Sequence, residues 1–327
     1  MEKLKVLVLS LPMAITDVLN PEGTGARMCL ERFPDLDWKF LPASDCTLET
    51  LQWADVLTGF VSPAMLKEAP KLRWLHLQSA GVNGYEKREI YATPNIVVTR
   101  SAGVHAPAMA EHALALALSL TRKLPALYRQ QEAGKWARVN ARKELHGATV
   151  LMLGTGYLAA ALTPLLKAFG CRILGLRRDI TKPLPPDYEK AYPTEQLHEA
   201  LSQADYIFST LPFTEKTRHL LDRAAFAAMK PGAILVNEGR GGTIDHEALL
   251  EALESGKLGG AGLDVTEPEP LPEGHPLWKA PNILITPHCS AASEATDFRR
   301  YDTFLRLLDK FLRGEELPGQ IDFQAGY

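Results

Sequence analysis

The sequence predicts an α/β protein built on two doubly wound parallel sheets. Three observations carry this prediction. Short apolar runs alternate with helix-length segments along most of the chain. One stretch, residues 148–179, reads strand, glycine turn, helix, strand. The 327 residues are enough for two domains of ordinary size.

Residues 4–10 form the first apolar strand. Lys3 and Lys5 ahead of the apolar run 6–15 imitate a signal peptide. Pro12 breaks that run and no small-x-small cleavage site follows, so a buried strand is expected. Further strands are expected at 37–41, 55–60, 72–78 and 96–99, with helices at 22–33 and 62–68. The small residues after the strand at 72–78, including Ala80, Gly81 and Val82, expose backbone N–H groups that can hold an anion, or make a plain turn. Residues 104–131 carry the longest helical pattern, rich in Ala and Leu, which belongs inside a domain or in a subunit interface. A polar connection at 132–147 contains Trp136.

The stretch 148–179 is the most informative. Gly154 permits the tight reversal after its first strand. Gly156 has no side chain, so the backbone can approach a pyrophosphate. The helix beginning at Tyr157 and Leu158 then points unpaired N–H groups at that anion. Ala159 holds the third motif position and still allows close helix–strand packing. Together these features predict a dinucleotide site. An acidic residue that would hold a ribose 2′-OH is expected at the end of the second strand; Arg177 and Arg178 stand there instead. Two guanidiniums suit a 2′-phosphate, so NADP(H) is the expected cofactor. NAD(H) stays possible through Asp179, and Lys182 is a further candidate for the phosphate.

Beyond this unit, the Pro-rich segment 182–193 is expected to be a loop. Strands at 206–209, 233–237, 260–265 and 283–286 alternate with helices at 195–202, 222–228 and 246–255, giving about six parallel strands. A charged amphipathic helix at 297–312 is expected to return to the first domain.

Composition excludes several classes. Apolar residues make up 46% and charged residues 23%, with a formal net charge of −3, as in a globular protein without a nucleic-acid footprint. Cys29, Cys46, Cys171 and Cys289 lie far apart without CxxC or Cys/His ligand spacing, so neither a metal site nor a disulfide framework is expected. Reduced thiols point to the cytoplasm. No run reaches transmembrane length.

Three ionisable residues fall at strand ends, where ligands bind in doubly wound sheets. Arg240 follows the strand at 233–237, flanked by Gly241 and Gly242. Glu269 lies in a proline-stiffened loop, and His288 follows the strand at 283–286. Reducing a 2-keto acid requires a held carboxylate, a polarised carbonyl and a delivered proton. Arg240 can do the first two as a fork, and His288 can be the proton donor. Glu269 on the other ring nitrogen would favour the charged imidazole.

At this point the chain resembles the D-isomer-specific 2-hydroxyacid dehydrogenases over nearly its whole length. The motifs are Ala110-Glu111-His112, Leu211-Pro212-Phe213-Thr214, Asn237-Glu238-Gly239-Arg240-Gly241-Gly242, Gly262-Leu263-Asp264-Val265, Glu269-Pro270-Leu271-Pro272, Thr286-Pro287-His288 and the closing residues 322–327. The resemblance implies that Arg240, Glu269 and His288 are catalytic and that backbone around Ala80, Gly81 and Val82 binds the substrate carboxylate. It implies that Asp264 contacts the nicotinamide carboxamide and that Leu211, Pro212 and Thr217 pass the cofactor. It further implies a Rossmann coenzyme domain, 102–293, inserted in a smaller flavodoxin-like substrate domain, 1–101 with 294–327, a hinged cleft and a homodimer. The arginine pair is similar to that of NADPH-dependent glyoxylate and hydroxypyruvate reductases. The chain departs from the pattern at Ala159, at the bulky Tyr157, and at Glu238, where an apolar or small residue is expected. Cys289 reads as packing.

The expected function is reduction of a small 2-keto acid, glyoxylate or hydroxypyruvate, by NADPH to a D-2-hydroxy acid. The alternatives are an NAD-preferring D-lactate or phosphoglycerate type of dehydrogenase, against which Arg177 speaks, and a non-catalytic NAD(P)-sensing protein. The set Arg240, Glu269 and His288 speaks against the latter, because a sensor needs no proton donor.

Overall fold

The structure, a computed structural model, describes residues 3–10, 23–141 and 143–324. The expected helix start at Glu22, the far end of the first apolar run and the last three residues lie outside them. The chain divides into two compact units, Met1–His105 with Ser293–Tyr327, and Ala106–Ala292.

The first unit holds β1 (Lys5–Ser10), α1 (Thr24–Arg32), β2 (Asp37–Pro42), α2 (Leu48–Trp53), β3 (Val56–Thr58), α3 (Pro63–Leu66), β4 (Trp74–Leu77) and β5 (Val97–Arg100). Its sheet runs β2-β1-β3-β4-β5, all pairs parallel. Successive side chains of β1 point to opposite faces. Val6 and Val8 join Cys29, Trp74 and the last helix's Phe304 and Leu308, while Leu7 and Leu9 pack with Leu51 and Leu66. Both faces are covered, which is why the strand is apolar throughout. The apolar pattern does not predict α2; its signal is Thr47, whose side chain accepts from Thr50 N at 3.2 Å. Within this core His76 is fully buried, with ring nitrogens 2.8 Å from Thr99 Oγ1 and 3.0 Å from Ser101 Oγ. Burial lowers its pKa to about 3.

The second unit holds α4 (Ala106–Thr121), α5 (Leu124–Glu132), β6 (Thr149–Leu153), α6 (Tyr157–Ala168), β7 (Arg172–Leu176), β8 (Tyr188–Tyr192), α7 (Leu197–Leu201), β9 (Tyr206–Ser209), α8 (Arg223–Ala228), β10 (Ala233–Asn237), α9 (His246–Glu254), β11 (Leu258–Leu263) and β12 (Ile283–Ile285). Its seven strands run β12-β11-β10-β9-β6-β7-β8, all parallel. The order reverses between β6 and β9, which makes that crevice the topological switch point. α10 (Glu294–Leu312) belongs to the first unit and packs on α1.

Two expectations are corrected. The segment 182–193 is not all loop: residues 188–192 form β8, the edge strand, so the sheet has seven strands rather than about six. Only Tyr188 and Tyr192 are buried there, and Glu189 and Lys190 face out, so an edge strand carried by backbone pairing leaves little apolar signal. The helix at 104–131 is two helices. Lys123 at φ 58° and Pro125 at the start of α5 interrupt it. α4 buries Ala110, Ala113, Leu116, Ala117 and Leu120 within the second unit, against α6, β10 and β11.

Candidate active site

Within the second unit, the candidate residues all follow the carboxyl ends of parallel strands. The glycine turn follows β6, Arg177 follows β7, Leu211 and Pro212 follow β9, Arg240 follows β10, Asp264 follows β11 and His288 follows β12.

The turn after β6 fits a dinucleotide. Gly154 sits at φ 92°, and a Cβ there would press on Thr210 Oγ1. Before Gly156 the space is open, with no atom within 4 Å of where a Cβ would stand. α6 begins with no side-chain cap, leaving its first amides for a ligand. Ala159 is buried beneath the helix, and Tyr157 projects outward, 64% exposed, so its bulk does not close the turn. Thr210, which carries no motif signal in the sequence, ties the switch point together: its Oγ1 donates to Leu153 O at 3.0 Å. Thr217 Oγ1 donates to Pro212 O at 2.7 Å and accepts from Thr214 N at 2.8 Å, closing the loop after β9.

After β7, Arg177 Nη1 donates to Pro183 O at 3.0 Å and Nη2 donates to Lys182 O. Arg178 is exposed. Asp179 is engaged locally, its Oδ1 accepting from Thr181 N at 3.0 Å and Thr181 Oγ1 at 2.6 Å.

Arg240 stands in a glycine-walled passage. A Cβ on Gly239 would strike the Leu211 backbone, and one on Gly241 the Thr266 backbone. The strand end is locked by Asn237, whose Nδ2 donates to Arg240 O at 3.1 Å. Burial lowers the Arg240 pKa, and the Glu269 charge opposes this. His288 Nδ1 donates to Glu269 Oε1 at 2.5 Å. The ring is 48% exposed, and its other nitrogen is the one available to a reacting atom. Thus the structure joins Glu269 to His288 directly and to Arg240 electrostatically.

Asp264 is 1% exposed and its carboxylate is well supplied. Oδ1 accepts from Thr286 Oγ1 at 2.6 Å and Cys289 N at 3.0 Å, and Oδ2 accepts from Ser290 N at 3.0 Å. Its backbone carbonyl accepts from His288 N at 2.9 Å. His112 Nε2 lies 3.0 Å from Thr286 Oγ1. The sequence shows neither this role of Asp264 nor that of His112, because the partners are far apart in the chain. In the first unit, the turn after β4 is shaped by Ser79 Oγ, which donates to Gly81 O at 2.5 Å, and by Arg100 Nη1, which donates to Ala80 O at 2.9 Å. Val82 is buried. Among the described residues, no group of His, Cys, Asp and Glu could hold a metal, and no helix is long and apolar enough to cross a membrane.

This fold and these strand-end residues define a nicotinamide-dependent oxidoreductase. Residues 114–290 match the D-isomer specific 2-hydroxyacid dehydrogenase, NAD binding domain. The glyoxylate reductase of Korarchaeum cryptofilum is 32% identical over 277 residues, 82% of this chain and 81% of that one. The D-3-phosphoglycerate dehydrogenase of Methanocaldococcus jannaschii is 33% identical over 82% of this chain and 52% of its own. A D-isomer specific 2-hydroxyacid dehydrogenase family protein from Aeromonas salmonicida superposes with TM-score 0.83 at 35% identity, over 98% of this chain and 100% of that one. The NADPH-dependent glyoxylate/hydroxypyruvate reductase from Sinorhizobium meliloti, in complex with NADP and sulfate, does so with TM-score 0.81 at 26% identity, over 99% and 100%. The chain belongs to the D-isomer-specific 2-hydroxyacid dehydrogenase family. It is an NAD(P)-dependent enzyme of 2-keto and 2-hydroxy acids.

Proposed function

We propose that the chain reduces glyoxylate or hydroxypyruvate with NADPH, giving the D-2-hydroxy acid where the product is chiral. The observation that carries this reading is the 2.5 Å contact between His288 Nδ1 and Glu269 Oε1 beside Arg240. Glu269 orients the ring and compensates its charge, which suits His288 to deliver a proton to the carbonyl oxygen. Arg240 holds the substrate carboxylate and polarises the carbonyl. Ala80, Gly81 and Val82, in the turn after β4, offer backbone N–H groups of the kind that hold an anion. Gly154, Gly156, Tyr157 and Leu158 would hold the pyrophosphate, Leu211, Pro212 and Thr217 would line the cofactor's path, and Asp264 would meet its nicotinamide end. When bound, the cofactor supplies the hydride that reaches the carbonyl carbon.

Arg177 and Arg178 support NADPH, as does the NADP-bound Sinorhizobium meliloti neighbour. One observation favours the NAD-preferring alternative: Arg177 Nη1 and Nη2 already donate to the carbonyls of Pro183 and Lys182. A homodimer in the cytoplasm completes the reading. Leu124, Leu127, Tyr128 and Trp136 stand exposed on and after α5, an apolar surface suited to a second copy. Absorbance at 340 nm tests the function. Glyoxylate, hydroxypyruvate and pyruvate are offered in turn with NADPH and NADH. NADPH loss with one of the first two is the expected outcome. Faster NADH loss overturns the cofactor assignment, and cofactor binding with no loss overturns the reaction.

A further inference from the structure

The second unit buries an acid that the proposed reaction does not use. Glu238 follows β10 and is 4% exposed, and neither carboxyl oxygen has a hydrogen-bond partner among the described residues. A buried carboxylate in that condition costs several kcal/mol, so the group is driven to hold a proton. Several titratable groups stand on the neighbouring segments: Asp264 after β11, His112 on α4, His288 and Cys289 after β12, and Arg240 two residues along. Asp264 is the one whose charge acts on Glu238.

The two acids are not equivalent. Asp264 accepts hydrogen bonds from Thr286 Oγ1, Cys289 N and Ser290 N, three donors matched to a carboxylate's acceptor oxygens. Glu238 accepts none among the described residues. The two acids follow the paired strand ends Asn237 and Leu263, and the one without donors is the one that holds a proton. We propose that Glu238 is a proton-holding positioning residue, whose neutral carboxyl lets Asp264 keep the charge that clamps the turn carrying His288.

That turn needs a clamp. His288 sits at φ 50°, in the left-handed region that a non-glycine residue adopts only when its surroundings enforce it. The Asp264 carboxylate grips both sides of it, the Thr286 hydroxyl before and the Cys289 and Ser290 N–H groups after. Burial together with the Asp264 charge pushes the Glu238 carboxyl up to about 9. Once Glu238 gives its proton to solvent, two like charges lie buried side by side. Asp264 relieves this by drawing away, which loosens residues 286–290. The link to catalysis rests on the acid–base role proposed for His288; the clamp itself does not.

Hydrogen–deuterium exchange of the full chain tests the clamp without turnover. The reporters are the amides of Cys289 and Ser290, in wild type and Glu238→Gln, at pH 7 and pH 10, each rate divided by its intrinsic value. Equal protection is expected at pH 7. One pH unit above the transition, the wild type should exchange about tenfold faster than the variant. Equal protection at pH 10 overturns the proposal. If Glu238→Gln does not fold, Glu238→Leu replaces it, and a wild-type series from pH 8 to 10 with no rise in normalised exchange overturns the proposal alone. Turnover supplies the second readout, taken in the hydroxy-acid oxidation direction, where neutral His288 is the active form. There the wild type should lose activity above pH 9 while Glu238→Gln does not, and a fall shared by both overturns the positioning role. A chain without turnover that still shows the exchange difference supports Glu238 and removes only the proposed reaction.

Discussion

His288 shows how much one backbone angle carries. Its φ of 50° turns the ring so that Nδ1 meets Glu269, and the two N–H groups that follow it bind Asp264. If the ring is the proton donor, His288→Ala should lower kcat by roughly 10²–10⁴-fold. NADPH affinity, followed by cofactor fluorescence, should not change; unchanged turnover would remove His288 from the mechanism. Arg177→Asp combined with Arg178→Ala should shift the ratio of kcat/KM toward NADH. No shift would mean that another group, such as Lys182, reads the 2′-phosphate.

At the scale of elements, the glycines after β6 and β10 separate function from packing. Gly156 has an ordinary φ of −84° and open space before it. Gly156→Val should therefore leave thermal stability within about 0.5 kcal/mol while weakening cofactor binding, because the added carbons stand where the phosphates must approach. Gly241 is the reverse case, with the Thr266 backbone where its Cβ would go. Gly241→Ala should cost roughly 1–3 kcal/mol in denaturant unfolding. A Gly156 variant that unfolds early, or a Gly241 variant as stable as wild type, would refute these assignments. The helices follow the same local logic. α9 is readable from Asp245, whose carboxylate accepts from Glu247 N and Ala248 N, whereas the parting of α4 and α5 at Lys123 is hidden for want of a strong breaker ahead of Pro125.

At the scale of the whole molecule, buried titratable groups make stability depend on pH at both ends of the range. In the first unit, His76 and His105 are buried, which lowers their pKa values from 6.5 to about 3 and about 4. The unfolded chain binds protons that the folded chain refuses. The stability these neutral rings allow is present above pH 6.5 and is lost as the pH falls through about 4 and about 3. In the second unit, Glu238 rises from 4.5 to about 9. Its neutral form favours folding fully below pH 4.5, and that contribution is lost as the pH climbs through about 9, at roughly 1.4 kcal/mol per pH unit between the two values. Glu238→Gln should therefore raise the melting temperature more at pH 8 than at pH 5 and leave the acid loss alone. Calorimetry of both proteins across pH 4 to 9 checks this, and parallel curves would show that Glu238 is ionised in the folded chain.

The sequence by itself determined most strands and helices and the glycine turn after β6, because each is written in residues close together in the chain, and it named Arg240, Glu269 and His288 as candidates at strand ends. Apolar alternation, turn glycines and helix caps act over a few residues, so they are legible without the fold. The tertiary structure decided what depends on distant partners. β8 exists because β7 offers it a ladder, not because its own residues are apolar. Glu269 meets His288 across 19 positions, and His112 meets Thr286 across 174. In the sequence Glu238 is an unexplained charge beside Arg240. Only burial, the lack of a partner among the described residues and the company of Asp264 turn it into a neutral acid, since the state of a carboxyl is set by what surrounds it in space.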